Sequence, residues 1–130
     1  MENEYKASGI LIMTLKQNQA MVLLFKEQRS NGIFWIDIGG RREHYDDSSW
    51  DTATRELNEE SNGLLSVHKD EIVESIWVPS AKYIIYLVYK ENLQITKNLR
   101  WFPLDVILRA PRRLYGTPVH ARLSKITQCL

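Results

Sequence analysis

Short apolar runs separated by polar breaks dominate the first forty residues. Tyr5–Leu15 (YKASGILIMTL) and Ala20–Phe25 (AMVLLF) flank Lys16-Gln17-Asn18-Gln19, a spacing that predicts a hairpin of two buried strands. Lys26–Gly32 is polar and closes on Asn31-Gly32, a strong turn signal, so it reads as a loop. Ile33–Ile38 (IFWIDI) returns to the strand pattern, and Gly39-Gly40 is expected to break it. Trp35 is assigned to the core on the strength of its apolar neighbours. The period then changes: Trp50, Ala53 and Leu57 form an apolar stripe at helical spacing. Asp47 or Ser48 is a good N-cap for that helix, Ser48 with Asp51 makes an approximate capping box, and Asn62-Gly63 is a stop.

Beyond the helix, Leu64–Lys69 is expected as a short strand or its lead-in. Asp70–Val78 places apolar residues at Ile72, Val73, Ile76 and Trp77, a pattern that fits helix and strand equally. Pro79-Ser80 turns the chain, and Lys82–Tyr89 (KYIIYLVY) is a buried strand by its β-branched and aromatic content. Lys90–Asn98 is a polar connector to Arg100–Leu104 (RWFPL). Pro103 suits the first turn of a helix to about Ala110, which Pro111 ends. Arg112–Pro118 reads as a basic loop, with Thr117 capping a last helix from Pro118 to Gln128 whose face is Val119, Leu123 and Ile126. Strands and helices thus mix along one chain, with no internal repeat; one domain spanning 1–130 is expected.

The chemistry concentrates in Arg55-Glu56-Leu57-Asn58-Glu59-Glu60. Glu56 stands three and four residues before Glu59 and Glu60, so helical geometry puts the carboxylates on neighbouring lines. Like charges so placed repel by a few tenths of a kcal/mol per pair in an isolated helix. Arg55 can offset one of them, and a hard divalent cation suits oxygen donors of this kind. On the glutamates alone, a solvated acidic face is the better explanation. The order strand, Gly-Gly, polar loop, acidic helix and Gly goes further, because it brings backbone carbonyls and glutamates to one point.

The segment Gly39–Leu64 resembles the Nudix box, G-x5-E-x7-R-E-U-x-E-E-x-G-U with U aliphatic. Arg55, Glu56, Leu57, Glu59 and Glu60 match the R-E-U-x-E-E core in register, and Asp47, seven intervening residues before Arg55, falls where the family has glutamate. On that alignment the loop Arg41–Asp46 is one residue longer than the pattern and Gly63 comes one residue late, with Asn62 in the usual glycine place; Asn tolerates that backbone region. The resemblance implies a Nudix α/β/α sandwich with a mixed β-sheet and a catalytic loop-helix-loop. It implies hydrolysis of a diphosphate linkage in a nucleoside diphosphate derivative: a nucleotide sugar or ADP-ribose, a dinucleoside polyphosphate, a nucleoside triphosphate or capped RNA. Mg2+ or Mn2+ would be held by the Gly40 carbonyl with Glu56, Glu59 and Glu60. Glu56, Glu59 and Arg55 are the expected catalytic groups, with Glu56 as ligand or base, Arg55 orienting a glutamate and Asp47 capping the helix.

Arg41 and Arg42 are the expected substrate contacts, by bidentate bonds to phosphate, although either has box glutamates to pair with instead. The family also commonly places a further acid in the connector before the Trp-aromatic element. Here Gln94, Thr96, Lys97 and Asn98 carry no carboxylate, and Glu91 stands early. A Nudix-fold module that binds nucleotide or RNA without cleaving it, or that binds another protein, is therefore the alternative.

Composition and charge add partners and setting. The longest apolar runs, such as Ile84–Tyr89, are too short to cross a bilayer, so no membrane is expected. The start Met1-Glu2-Asn3-Glu4 lacks the basic and apolar stretches of a signal peptide. One cysteine, Cys129, excludes an internal disulfide or a cysteine zinc cluster; a cytoplasmic protein is expected. From Asn92 onward seven basic residues face one acid, a balance of +6, while residues 1–91 hold ten basic and fifteen acidic residues, a balance of −5. An acidic half joined to a basic half suits a polyanionic substrate bridged by metal, and equally a solubilising C-terminal helix. Dimers are common in the family, so a homodimer stands among the expectations. His44, Tyr45, Tyr115 and the arginines beside it are weaker candidates for substrate contact.

Overall fold

The computed structural model describes residues 1–130. β1 (Ala7–Lys16) and β2 (Gln19–Arg29) form the expected hairpin, its two-residue turn made by Gln17 and Asn18, both at positive φ. β2 runs farther than predicted: Lys26–Arg29 is strand, paired with β3 (Gly32–Ile36), so the expected 26–32 loop reduces to the turn before Gly32. Charged residues alternate along a sheet edge without breaking it, which is why polarity alone misplaced the boundary.

The Gly-Gly pair does not end a strand. Gly39 and Gly40 lie inside β4 (Ile38–Arg41), opposite Gly9 and Ser8 of β1; the break falls at Asp37. β1 holds β2 only over Met13–Lys16, while its first half, Ala7–Ile10, pairs with β4. β2 in turn pairs with β3 over Phe25–Arg29. The two strands of the hairpin therefore splay, and the β3–β4 segment, bent at Asp37, fills the gap.

β6 (Tyr83–Tyr89) lies parallel to β1, β5 (Ile72–Val78) pairs with β6 across a bulge at Val73, and β7 (Leu99–Pro103) pairs with the outer edge of β2. The ambiguous 70–78 segment is thus strand. The residues Leu64–His68 form no strand: Leu65 is buried with its N–H donated to the Ser61 hydroxyl, and a 3-10 turn at Lys69–Glu71 follows.

Period-two alternation on β2 separates two cores. Val22 and Leu24 join Leu11, Trp35, Tyr83, Phe102, Leu123 and Ile126 on one face of the sheet. Leu23 joins Ile10, Ile12, Ile38, Ala53, Leu57 and Val88 on the other, with Phe25 against them. Helix α1 (Ser49–Glu60) covers the second face. Helices α2 (Leu104–Leu108) and α3 (Ala121–Thr127) cover the first, giving the α/β/α sandwich with a mixed sheet. The 112–118 segment is not a loop but a small hairpin, β8 (Arg113–Leu114) and β9 (Thr117–Pro118), turned by Tyr115 and Gly116 at positive φ. Thr117 belongs to that hairpin, and His120 caps α3 instead, its Nδ1 accepting from the Arg122 N–H at 3.0 Å. No helix is long and apolar enough to cross a membrane.

Candidate active site

Helix α1 starts where the sequence places it. Ser48 is the N-cap, its hydroxyl accepting from Asp51 N–H at 3.2 Å, and the Glu2 carboxylate, brought by the N-terminal segment, takes the Ser49 N–H at 2.7 Å. Trp50 packs edge-on to Tyr86, and Ala53 and Leu57 are fully buried. The helix ends at Glu60 because Asn62 (φ 53°) and Gly63 (φ 76°) turn left-handed. Glu59 and Glu60 therefore occupy the last turn, which holds no basic residue. Acids there oppose the helix dipole, by about 0.3–1 kcal/mol each at an exposed site.

Arg55 is the organising cation. It donates through Nε and Nη2 to both oxygens of Asp46, at 3.0 and 2.9 Å, and through Nη2 to the Arg41 carbonyl at 2.9 Å. Its Nη1 bonds Glu56 at 3.2 Å and Glu59 at 3.3 Å. The acid that anchors Arg55 is thus Asp46 and not Asp47, which is exposed and caps nothing. Asp46 stands five intervening residues after Gly40, the first interval of the box pattern, so the extra residue lies between this acid and the helix rather than in the loop before it. Asp46 is buried and also accepts from Glu43 N–H (2.9 Å) and Thr52 Oγ1 (2.8 Å). The Arg55 hydrogen bonds hold its carboxyl well below the usual carboxylate range.

The three box glutamates separate. Glu59 is exposed and tied to Arg55. Glu56 is half-buried against β4: a Cβ on Gly40 would lie 2.2 Å from its Oε1, so glycine at 40 makes room for this carboxylate. Burial raises the Glu56 carboxyl, with Arg55 opposing. Glu60 turns inward, and its Oε2 is buried with no hydrogen-bond partner. Burial first, then the charges of Glu56 and Glu27, push it up to about 10. No three His, Cys, Asp or Glu side chains converge on one point, so the carboxylates do not form a preset metal cage. Their chemistry nevertheless fits a hard divalent cation: the donors are carboxylate oxygens, and one of them, buried, lacks any partner.

The wall behind the glutamates is a polar cluster that the sequence did not announce. Asp37, at the β3–β4 bend, is wholly buried; it accepts from the Tyr83 hydroxyl and from Arg122 Nε at 2.9 Å, and Arg122 Nη2 reaches the Asp37 carbonyl at 3.2 Å. Tyr83 gets there over Gly9 and Gly39, where an added Cβ would sit 1.9 and 2.0 Å from its hydroxyl. Burial opposes the charge of Arg122, but the Asp37 carboxylate holds it protonated. Glu27 of β2 adds to the push that raises Glu60.

The expected substrate arginines are exposed and unpaired with any acid; Arg42 lies over the Tyr5 ring at 4.4 Å, and only the Arg41 carbonyl touches the Arg55 network. His44 and Tyr45 stack edge to face on the outer loop. Trp35 is core, its indole N–H donated to the Leu114 carbonyl at 3.2 Å. Tyr115 is exposed, with the Arg100 guanidinium 3.8 Å above its ring. Glu91 is exposed and accepts from Tyr89 at 3.0 Å; it lines a cleft with Lys16 and Trp101 at the hairpin end of β1.

A mixed sheet splayed at its third strand, sandwiched between helices and carrying a Gly-Gly strand, a loop and an acidic helix, is the Nudix fold. Solved structures of similar shape agree. The chain is similar to RenU, a Nudix hydrolase from M. smegmatis, at 17% identity over 96% of this chain and 83% of that one, with a TM-score of 0.63. It is similar to the C. elegans Ap4A hydrolase at 23% identity over 81% of this chain and 84% of that one, with a TM-score of 0.53. The Nudix domain of Shewanella oneidensis NrtR, solved with ADP ribose, is similar at 17% identity over 98% of this chain and 86% of that one, with a TM-score of 0.61. No protein-family model matches the chain, and no curated protein sequence matches it.

Proposed function

We propose that this chain, acting as a single cytoplasmic domain, is a divalent-metal-dependent hydrolase of a diphosphate linkage in a nucleoside diphosphate derivative. The observation that carries the reading is Glu60: a buried carboxylate oxygen without a partner, at the unfavourable end of a helix, beside two further acids. Such an arrangement is costly unless a cation completes it. Glu56, Glu60 and the Gly40 carbonyl are the groups that would hold Mg2+ or Mn2+, with Glu59 joining them from the exposed side. When bound, the cation supplies charge neutralisation of the diphosphate and a lower pKa for the attacking water.

The chain's own residues do the rest. Asp46 fixes Arg55, and Arg55 fixes Glu56 and Glu59 in turn, so the acids are aimed before substrate arrives. Glu56, half-buried and raised, is suited to take the proton from water as it attacks phosphorus in line. Arg41 and Arg42, free of acidic partners at the end of β4, are placed to take phosphate oxygens. The fold neighbours include an Ap4A hydrolase and a domain solved with ADP ribose, which makes dinucleoside polyphosphates and ADP-ribose the first substrates to try.

The test sets purified protein, with and without Mg2+ or Mn2+, against ADP-ribose, a nucleotide sugar, nucleoside triphosphates, dinucleoside polyphosphates, capped RNA and a diphosphoinositol phosphate. Metal-dependent cleavage of one class is expected, with Glu60→Gln slower by orders of magnitude and still folded. Full activity in Glu60→Gln sinks the assignment. One observation favours the second reading, a Nudix-fold binding module: the 90–98 connector brings no carboxylate to the helix, and Glu91 is engaged elsewhere. Nucleotide binding without cleavage, unaffected by metal, would establish that reading instead.

A further inference from the structure

We propose that Arg122, in the first turn of α3, is a positioning residue of this site: its guanidinium sets where the Gly39–Gly40 strand lies against Glu56. The chemistry rests on the hydrolase reading above, the placement on hydrogen bonds.

The bend at Asp37 has no ladder of its own. The β2–β3 pairing stops at Ile36, opposite Phe25, and the β1–β4 pairing begins at Ile38, opposite Ile10. No main-chain hydrogen bond ties Asp37 to a neighbouring strand. Side chains from two distant elements fix the bend instead. Arg122 donates through Nε to Asp37 Oδ1 at 2.9 Å and through Nη2 to the Asp37 carbonyl at 3.2 Å. One planar group thus holds the side chain and the main chain of the same residue, a fork that an ammonium cannot reproduce. The Tyr83 hydroxyl, from β6, donates to the other carboxylate oxygen. The start of α3 is itself seated on β3: the His120 N–H donates to the Trp35 carbonyl at 2.9 Å, Val119 bridges to Trp35, and Leu123 and Ile126 are buried in the first core.

Two residues beyond the bend, the strand meets the acidic helix. Gly39 leaves room for the Tyr83 hydroxyl and Gly40 for the Glu56 carboxylate. The Arg41 carbonyl then accepts from Arg55, whose guanidinium also binds Glu56 and Glu59. A tilt of β4 at Asp37 is therefore carried to the seat of Glu56 and to the Gly40 carbonyl. Asp37 and Tyr83 are buried, and Arg122 commits Nε and Nη2 to Asp37, so the cluster acts on the reaction through the strand. Apolar side chains of similar volume often stabilise a core as well as a buried ion pair does; a buried polar cluster whose members are all partnered fixes geometry as well.

The experiment compares the full-length wild type with Arg122→Gln, Arg122→Lys and Arg109→Gln, at a temperature where denaturation curves show each one folded. It reads amide hydrogen exchange along the chain, Mn2+ affinity from the electron paramagnetic resonance signal, and kcat and KM on the substrate that the panel above identifies. In Arg122→Gln, exchange in Ile38–Arg41 is expected to quicken about tenfold while the β5–β6 pairing exchanges as in wild type. Mn2+ affinity and kcat are each expected to fall about tenfold, with KM within about twofold. Arg122→Lys keeps the charge but reaches one acceptor, so it is expected to fall between Arg122→Gln and wild type. Arg109→Gln is expected to match wild type throughout. Wild-type kcat and Mn2+ affinity in folded Arg122→Gln mean a structural role alone; they overturn this inference and leave the hydrolase reading standing. A wild type that neither binds Mn2+ nor cleaves any substrate overturns the hydrolase reading, and exchange then decides the placement: quickening confined to β4 upholds it, and uniform or absent quickening overturns it. If Arg122→Gln does not fold, Arg122→Lys decides, and wild-type values in every readout overturn the inference.

Discussion

Arg55 touches four acceptors, and which acid it chooses decides how the box is read. Spacing to the arginine points to Asp47; spacing from the glycine points to Asp46, and the structure follows the glycine. The reason is local. The helix cap is Ser48, so Asp47 is left facing water, while Asp46 is the residue that the turn from Glu43 carries beneath the helix, where Thr52 and Arg55 wait. Substituting Asp46→Asn removes charge from a buried bidentate pair and is expected to cost about 2–4 kcal/mol. Asp47→Asn should stay within about 0.5 kcal/mol. Chemical denaturation of the two variants side by side checks this, and equal effects would return the role to Asp47. The core R-E-U-x-E-E residues and their helix were legible in the sequence because they are contiguous and periodic. Asp46 and Asp37 were not, because each gains its place only through a partner 9, 46 or 85 positions away.

At the scale of the element, α1 is a helix whose beginning is satisfied and whose end is not. Ser48 and Glu2 cap the start, whereas the last turn carries acids against the dipole with one oxygen orphaned. This asymmetry has a titration consequence. Glu60 is raised in the folded chain from an ordinary 4.5 to about 10. Between those values the folded state keeps a proton that the unfolded state releases, so stability falls as pH rises. Asp46 acts in the opposite sense, contributing stability above its unfolded value and losing it in acid, below about pH 4. His120, lowered by burial, favours folding as pH rises through its ordinary range near 6.5. The interval from about pH 7 to 9 isolates Glu60. There the metal-free protein should lose up to about 1.4 kcal/mol per pH unit. The slope should vanish in Glu60→Gln and shrink when Mg2+ is added. A flat wild-type profile over that interval would show that Glu60 is not the buried acid described. The strand boundaries that the sequence missed have one cause: Lys26–Arg29 and Arg113–Pro118 are polar because they line edges and turns, and pairing, not burial, makes them strands.

At the scale of the molecule, the charge split between the acidic first 91 residues and the basic remainder resolves into one contact. Of the seven basic residues after Asn92, Arg122 enters the interior, crossing from α3 to the β3–β4 bend. It joins the C-terminal helix to the strand that carries Gly39 and Gly40, and it lies near enough to Glu56 and Glu60 to lower the cost of their charge. Its companions stay outside, with Arg100 on Tyr115 and Arg113 on the Gly116 carbonyl. Removing Arg122 therefore differs from removing any other cation of the C-terminal third. Arg122→Leu leaves Asp37 buried with only Tyr83 and is expected to cost about 3–5 kcal/mol, against at most about 0.5 for Arg109→Leu on the exposed end of α2. The double-mutant cycle with Asp37→Asn separates pairing from packing. If the ion pair is what α3 contributes, Arg122→Leu should cost markedly less in the Asp37→Asn background, giving a coupling of about 1–3 kcal/mol. Additive losses would mean that α3 holds the sheet through Leu123 and Ile126 alone, and that the basic C-terminal third serves the surface rather than the site.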